Sequence, residues 1–251
     1  MTTSTIVGNW KMNTTPASAE ILAYGIRDVR VMGGSVDIII CPPYVSLDRV
    51  SRIVSGSRIQ VGAQDVHPES SGAFTGEVSP AMIAEVADFV IVGHSERRQL
   101  FSESDEFIGR KVVASLDAGL KPILCVGESL EDRRAGRAEH VVRSQLLNSL
   151  ERIEDVAGIL VAYEPVWAIG TGEAANPQIA QYMLGTIRFA LKSKFGAAAD
   201  SVPCLYGGSV NADNVQDFVR EPDISGALVG GASLDAESFV SIVTRAAEVT
   251  G

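Results

Sequence analysis

Glu164 stands just past an apolar run, Ile159–Val161, inside the segment Ala162–Gly172, which reads AYEPVWAIGTG. Pro165 follows at once, so a strand cannot continue and Glu164 is biased toward extended backbone. Next come a bulky apolar cluster, Val166-Trp167-Ala168-Ile169, and a Gly-Thr-Gly. A carboxylate so placed can act as a base. The apolar stretch can exclude water over it, and the glycine amides can approach an anion closely.

Other polar and glycine residues fall in the same relation to apolar runs. Asn9 and Lys11 follow Ile6–Gly8, and His94, Ser95 and Glu96 follow Phe89–Gly93. Gly207-Gly208-Ser209 follows Pro203–Tyr206, and Gly230-Gly231 follows Gly226–Val229. Glycines let backbone N–H groups line a concavity with no side chain in the way, so the two glycine pairs are candidates for a phosphate site. His94 stands just before an expected helix start at Ser95-Glu96, where the helix end disfavours a protonated imidazole. A neutral imidazole can donate a hydrogen bond to a substrate carbonyl. Lys11 suits a sugar phosphate, and Glu96 is a candidate partner for it. A carboxylate base, a neutral histidine, a lysine and an anion clamp together suit proton abstraction next to a carbonyl, through an enediolate. Cys125 lies within an apolar strand, which favours packing over a nucleophilic role. Trp10 is expected to pack, and His67 and His140 receive no role. The spacing reveals neither a metal cluster nor a dinucleotide fingerprint, so no metal and no cofactor are expected.

These residues need a frame that brings distant segments together. Apolar runs at Ile6–Asn9, Val36–Cys41, Arg58–Ala63, Phe89–Gly93, Pro122–Val126, Ile159–Tyr163, Pro203–Tyr206 and Gly226–Val229 read as strands. Helical stretches separate them: Pro16 to about Val31, Ser46–Val54, Pro80–Val86, Glu103–Ala118, Leu130–Ile153 with a break near Gly136, Pro177–Phe195, Asn211–Val219 and Leu234–Ala247. Gln64–Ser79 is a long loop. The strands are continuous apolar runs rather than alternations, as in a parallel sheet covered on both faces. Eight such units predict a closed (β/α)8 barrel, one α/β domain over residues 1–251, with the polar strand ends sharing one face. An open doubly wound sheet would usually carry a GxGxxG after its first strand, and this sequence has none there.

Composition narrows the partners. The chain has 251 residues, 46% of them hydrophobic and 21% charged, in the ordinary globular range. A net charge of -10 argues against nucleic acid and against anionic membranes as partners. Met1–Thr5 lacks the basic start of a secretory signal, and no apolar run approaches the ~20 residues of a membrane helix. Cys41, Cys125 and Cys204 are odd in number, far apart and set in apolar runs, which predicts reduced thiols and a cytoplasmic protein.

At this point the motifs resemble a known family. NWKMN at Asn9–Asn13, VGHSERR at Val92–Arg98, AYEPVWAIGTG, YGGSV at Tyr206–Val210 and GGASL at Gly230–Leu234 are similar to those of triosephosphate isomerases, in the same order and across nearly the whole chain. The resemblance implies interconversion of dihydroxyacetone phosphate and D-glyceraldehyde 3-phosphate without a cofactor, in glycolysis and gluconeogenesis. It implies Glu164 as the base and His94 as the neutral electrophile. Lys11 would be the substrate-holding cation, with Asn9 beside it and Glu96 paired to it. It also implies phosphate contacts at Gly170, Ser209, Gly230 and Gly231. Pro165–Trp167 would be the first hinge of a mobile lid that Tyr206 and Ser209 latch, with Ser95 and Cys125 in support. Gly72–Glu77, including Phe74 and Thr75, resembles a loop that enters the neighbouring subunit of a homodimer. Two departures stand out: Glu173-Ala174-Ala175 at the second lid hinge, where a Lys often begins the segment, and Asp65 where Asn is common. A four-carbon ketose phosphate and a non-catalytic sugar-phosphate-binding barrel are the alternative readings.

Overall fold

The computed structural model describes residues 4–30, 36–168 and 175–249. Eight parallel strands close into a barrel in sequence order: β1 (Ser4–Asn9), β2 (Val36–Cys41), β3 (Ile59–Ala63), β4 (Phe89–Val92), β5 (Lys121–Val126), β6 (Leu160–Tyr163), β7 (Cys204–Tyr206) and β8 (Gly226–Val229). β8 returns to β1, with Thr5 opposite Gly226 and Gly8 opposite Val229. The chain is therefore an α/β barrel of the (β/α)8 type.

The helices are α1 (Pro16–Arg27), α2 (Tyr44–Val54), α3 (Pro80–Ala84), α4 (Ser95–Leu100), α5 (Asp105–Asp117), α6 (Leu130–Arg134), α7 (Ala138–Ser149), α8 (Pro177–Phe195), α9 (Val215–Val219) and α10 (Ala236–Ala247). Their starts follow local rules. Thr15 caps α1 in a reciprocal box with Ser18, with Pro16 at the first position. Asn176 accepts from the Ile179 N–H at 2.8 Å to cap α8, again followed by Pro. The break expected near Gly136 separates α6 from α7, and Gly136 has a positive φ of 70°. Three helix bounds differ from expectation by about four residues: α1 ends at Arg27 rather than near Val31, α7 ends at Ser149 rather than Ile153, and the third lies after β7. The helix after β7 begins at Val215 rather than Asn211, because the Asn211 side chain accepts from the N–H groups of Asp213 and Asn214 and holds a turn instead.

Strand side chains fill two layers. Val7, Ile39, Cys41, Ile91, Cys125 and Leu228 belong to the inner cluster of the barrel. Ile6, Ile40, Val90, Leu124 and Val229 join the helices in a larger outer cluster. Burial on both faces is why the strands read as unbroken apolar runs. The C-terminal ends are left to the polar and glycine residues.

Candidate active site

Lys11 leaves β1 with φ +50°, a left-handed conformation that a side chain rarely adopts. Three hydrogen bonds hold it there. Its N–H donates to Asn9 Oδ1 at 3.0 Å, and its carbonyl accepts from Gln64 Nε2 at 2.9 Å. Its ammonium donates to Glu96 Oε1 at 2.6 Å. Strain of this kind costs of order 1–3 kcal/mol and persists where the surroundings over-determine it. Gln64, which also donates to Cys41 O at 2.8 Å, is a supporting residue that the sequence reading missed. Its place just past the end of β3 was the available signal.

Gly93 ends β4 with φ +70°, turning the chain sharply into α4. His94 caps that helix, its Nδ1 accepting from the Glu96 N–H at 3.2 Å. An acceptor at Nδ1 leaves the ring proton of the neutral form on Nε2. Nε2 lies 3.0 Å from Glu164 Oε1, and the other carboxylate oxygen accepts from the Ser95 N–H at 2.8 Å. Glu164 is 2% exposed. Burial alone would raise its pKa, but His94 and the Ser95 N–H outweigh that and hold the carboxyl below its ordinary range. For His94 the balance corrects the expectation from helix position. Burial pushes the imidazole down, yet the Glu164 charge beside it pushes further up, and its pKa lies above the ordinary value.

These groups open on a cavity of about 310 Å3, lined on one side by Asn9, Lys11, His94 and Glu164 and on the other by Gly207–Ser209 and Gly230–Gly231. The fit at Gly207 is close: a Cβ there would lie 3.0 Å from Glu164 Cγ and 3.1 Å from Tyr163 O. Gly231 faces open space. Lys11 bridges the two sides, because a Cβ on Gly230 would lie 3.6 Å from its Cε. The lining therefore combines side-chain charge with bare backbone, and the two meet at Gly207 and at Gly230.

The segment after Glu164 is tied on both described flanks. The Trp167 Nε1–H donates to Glu128 Oε1 at 2.8 Å, and the ring lies under the Arg133 guanidinium. Glu128 is buried and also accepts from the Tyr163 hydroxyl at 3.1 Å and from Arg133 at 3.0 Å. The sequence reading missed Glu128, although it too follows a strand end, that of β5. Ser209 Oγ donates to Ala168 O at 3.0 Å, and the Tyr206 hydroxyl accepts from the Ala175 N–H at 3.0 Å. Gly170 and Glu173 lie outside the described residues.

The remaining candidates sit apart from the cavity. Cys125 is fully buried in the barrel interior, and burial pushes its thiol well above the ordinary value, as expected of a packing residue. Burial likewise pushes the Cys204 thiol up to about 12. Trp10 is fully buried and packs. Phe74 and Thr75 are exposed on the loop before α3, where the Phe74 ring rests on His67 with centroids 4.2 Å apart.

Comparison with known proteins agrees with this geometry. The sequence profile of the family described as Triosephosphate isomerase matches residues 4–246. The chain is 49% identical to the triosephosphate isomerase of Symbiobacterium thermophilum, over 99% of this chain and 98% of that one. It is 47% identical to the triosephosphate isomerase of Chloroflexus aurantiacus, over 95% and 97%. The Caldanaerobacter subterraneus enzyme of the same name is 46% identical, over 95% and 97%.

The chain belongs to the triosephosphate isomerase family. As a member of it, the chain is an isomerase, and the cavity at the strand ends is where the family's motifs meet. The segments NWKMN, VGHSERR, YGGSV and GGASL all contribute lining residues, although they are spread over more than two hundred positions. Asp65, the departure noted near Gln64, is 6% exposed and paired to Arg97 and Lys111. Among the described residues no helix is long and apolar enough to cross a membrane.

Proposed function

We propose that this chain interconverts dihydroxyacetone phosphate and D-glyceraldehyde 3-phosphate by moving one proton between adjacent carbons through an enediolate. The observation that carries the reading is the contacting pair Glu164–His94, 3.0 Å apart, in the lining of a cavity that two glycine loops also line. Carboxylate and imidazole satisfy each other here. A substrate carbonyl entering between them takes the Nε2–H of His94 and leaves the Glu164 carboxylate directed at the neighbouring carbon. Once Glu164 turns from the ring to the carbon, the main cause of the raised His94 pKa is weakened. Burial then favours the neutral imidazole, which can donate to the carbonyl oxygen and accept the proton back.

Lys11 supplies positive charge to the substrate and to the developing oxyanion, and Asn9 holds the Lys11 backbone for that task. The N–H groups of Ser209, Gly230 and Gly231 take the phosphate, joined by Gly170 from the lid. Trp167 and Glu128 form the fixed root of the lid, with Ser95, Tyr206 and Ser209 in support. A homodimer fits the exposed apolar side chains that follow β1 to β4: Met12, Tyr44, Val45, Phe74, Leu100 and Phe101. Met12 is 97% exposed beside Lys11, and a second copy bringing Phe74 and Thr75 would cover it. A cytoplasmic place in glycolysis and gluconeogenesis accords with three free buried thiols and the acidic charge.

The test is isomerisation of D-glyceraldehyde 3-phosphate, coupled to a reductase that consumes dihydroxyacetone phosphate and NADH. Rapid turnover that exceeds the rate on a four-carbon ketose phosphate supports the reading. A folded protein without triose turnover overturns it.

A further inference from the structure

Gly127 follows directly on β5, and Glu164 follows directly on β6. The two strands pair in parallel up to Val126 opposite Tyr163, so Gly127 and Glu164 are the next neighbours. Their backbones pass very close. A Cβ on Gly127 would run into Glu164 O and lie 2.7 Å from its carbonyl carbon, so only glycine fits. On either side of this contact the ladder continues. The Glu164 N–H donates to Val126 O at 2.8 Å, and the Val166 N–H donates to Glu128 O at 3.2 Å. The main chain of the base therefore rests on Gly127 with no side chain between them.

The other flank of Gly127 is held from a helix. β4 pairs with β5 only as far as Val92 opposite Leu124, which leaves Gly127 beyond the ladder on that side. The Gln145 carboxamide of α7 takes the place of a strand there. Its Oε1 accepts from the Gly127 N–H at 2.8 Å, and its Nε2 donates to Gly127 O at 3.2 Å. One side chain thus meets both backbone groups of one residue, as a residue of a paired strand would. It stands on a fixed platform, because Gln145 lies one turn from Val142 and from Ser149, both buried. Neither Gln145 nor Gly127 lines the cavity.

We infer that Gln145 is a positioning residue: it clamps Gly127, and Gly127 sets the level at which the Glu164 backbone, and with it the carboxylate, stands against His94 and the substrate. The inference rests on the isomerase reading of the site, and its test separates the two. Gln145→Met keeps the length of the side chain and removes both bonds. It is compared with the native protein, with Glu164→Asp, whose carboxylate is drawn back on a shorter stem, and with the double variant. The readouts are steady-state kinetics and the 15N–1H resonance of the Glu164 amide.

Gln145→Met lowers kcat about tenfold and leaves KM within about twofold of native, because misplacement falls on the base and not on the phosphate loops. It also moves the Glu164 amide resonance. In the Glu164→Asp background the carboxylate is already out of place, and there the same change lowers kcat less than about threefold. A general loss of packing does not give that non-additivity. If Gln145→Met does not fold, Gln145→Glu is read in its place. Its carboxylate keeps an acceptor for the Gly127 N–H but sets another acceptor against Gly127 O, and the same kinetic pattern is expected. If neither variant folds, the clamp serves the barrel and the inference is overturned. Native kcat, an unmoved Glu164 amide resonance, or losses that multiply in full in the double variant overturn it as well. A native protein without isomerase activity would overturn the functional reading instead, and the Glu164 amide resonance alone would then decide whether Gln145 sets that backbone.

Discussion

Two parts of the cavity lining are built from different materials. In one part, Asn9, Lys11, His94 and Glu164 present charge and hydrogen-bonding side chains, each fixed by a partner within about 3 Å. In the other, Gly207–Gly208 and Gly230–Gly231 present backbone only, and Gly231 opens on empty space. The first needs specific pKa values and alignment, so its groups are buried, paired and even strained. The second needs donors that approach a phosphate from several directions, which main-chain N–H groups supply when no Cβ intervenes. Changes to the charged side chains, or to a glycine packed against one, should therefore act on kcat, and changes to a glycine that faces open space on KM.

The strongest test of that division is Glu164→Gln. It removes the base while preserving shape, and kcat should fall by about 10³, within the usual span for a lost general base, with an unchanged circular dichroism spectrum. A variant within tenfold of the native kcat would show that the base lies elsewhere. The glycine loops give a paired test. Gly231→Ala should fold normally and raise KM about tenfold with little change in kcat, because its methyl enters the cavity without touching the base. Gly207→Ala should instead lower kcat, because its Cβ would press on Glu164 Cγ at 3.0 Å. Equal effects of the two on KM would erase the distinction.

Trp167→Phe deletes the indole N–H that binds Glu128 Oε1. Unfolding in urea should show a loss of about 1–2 kcal/mol. A variant as stable as the native protein would mean that the root of the lid does not depend on that bond.

The subtlest effect is electrostatic. In the native protein His94 titrates above its ordinary value, because Glu164 outweighs the downward push of burial. With Gln at 164 the largest upward push is gone and only Glu96 still opposes burial and Lys11, so NMR titration should find the His94 pKa shifted down. In stability terms, the contribution of His94 is full below about pH 6.5 and lost as pH rises through its raised pKa. The contribution of Glu164 is present above the ordinary carboxylate value and lost as pH falls through its lowered one. The pair therefore stabilises most between those two ordinary values. Thermal melts across pH 4 to 8 should show the native advantage over Glu164→Gln peaking there, and a flat difference would refute the coupling.

The barrel was legible in the sequence because each strand is buried on both faces and so appears as an apolar run closed by Gly, Pro or a polar residue. Proline and asparagine caps marked α1 and α8 for the same local reason. The site was legible where chemistry coincides with a strand end. Gln64 and Glu128 also follow strand ends but escaped because their work is done for other residues, through Lys11 O and Trp167 Nε1. The helix expected at Asn211 failed because a side-chain turn competes with helix locally. The His94 pKa was misjudged because its decisive neighbour, Glu164, is 70 positions away in the chain.

The pairing of β8 with β1 has a consequence for how the protein is made. Ile6 lies beside Ala227 and Val7 beside Leu228, and Gly230-Gly231 follows directly. On the ribosome, Asn9, Lys11, His94 and Glu164 all emerge before the strand that seals the ring. The last backbone donors of the cavity thus arrive with the last closure of the sheet. A nascent chain holds every reactive side chain of the enzyme only from Glu164 onward, roughly the last third of its synthesis, yet has no finished pocket in which to use them until its final segment is released.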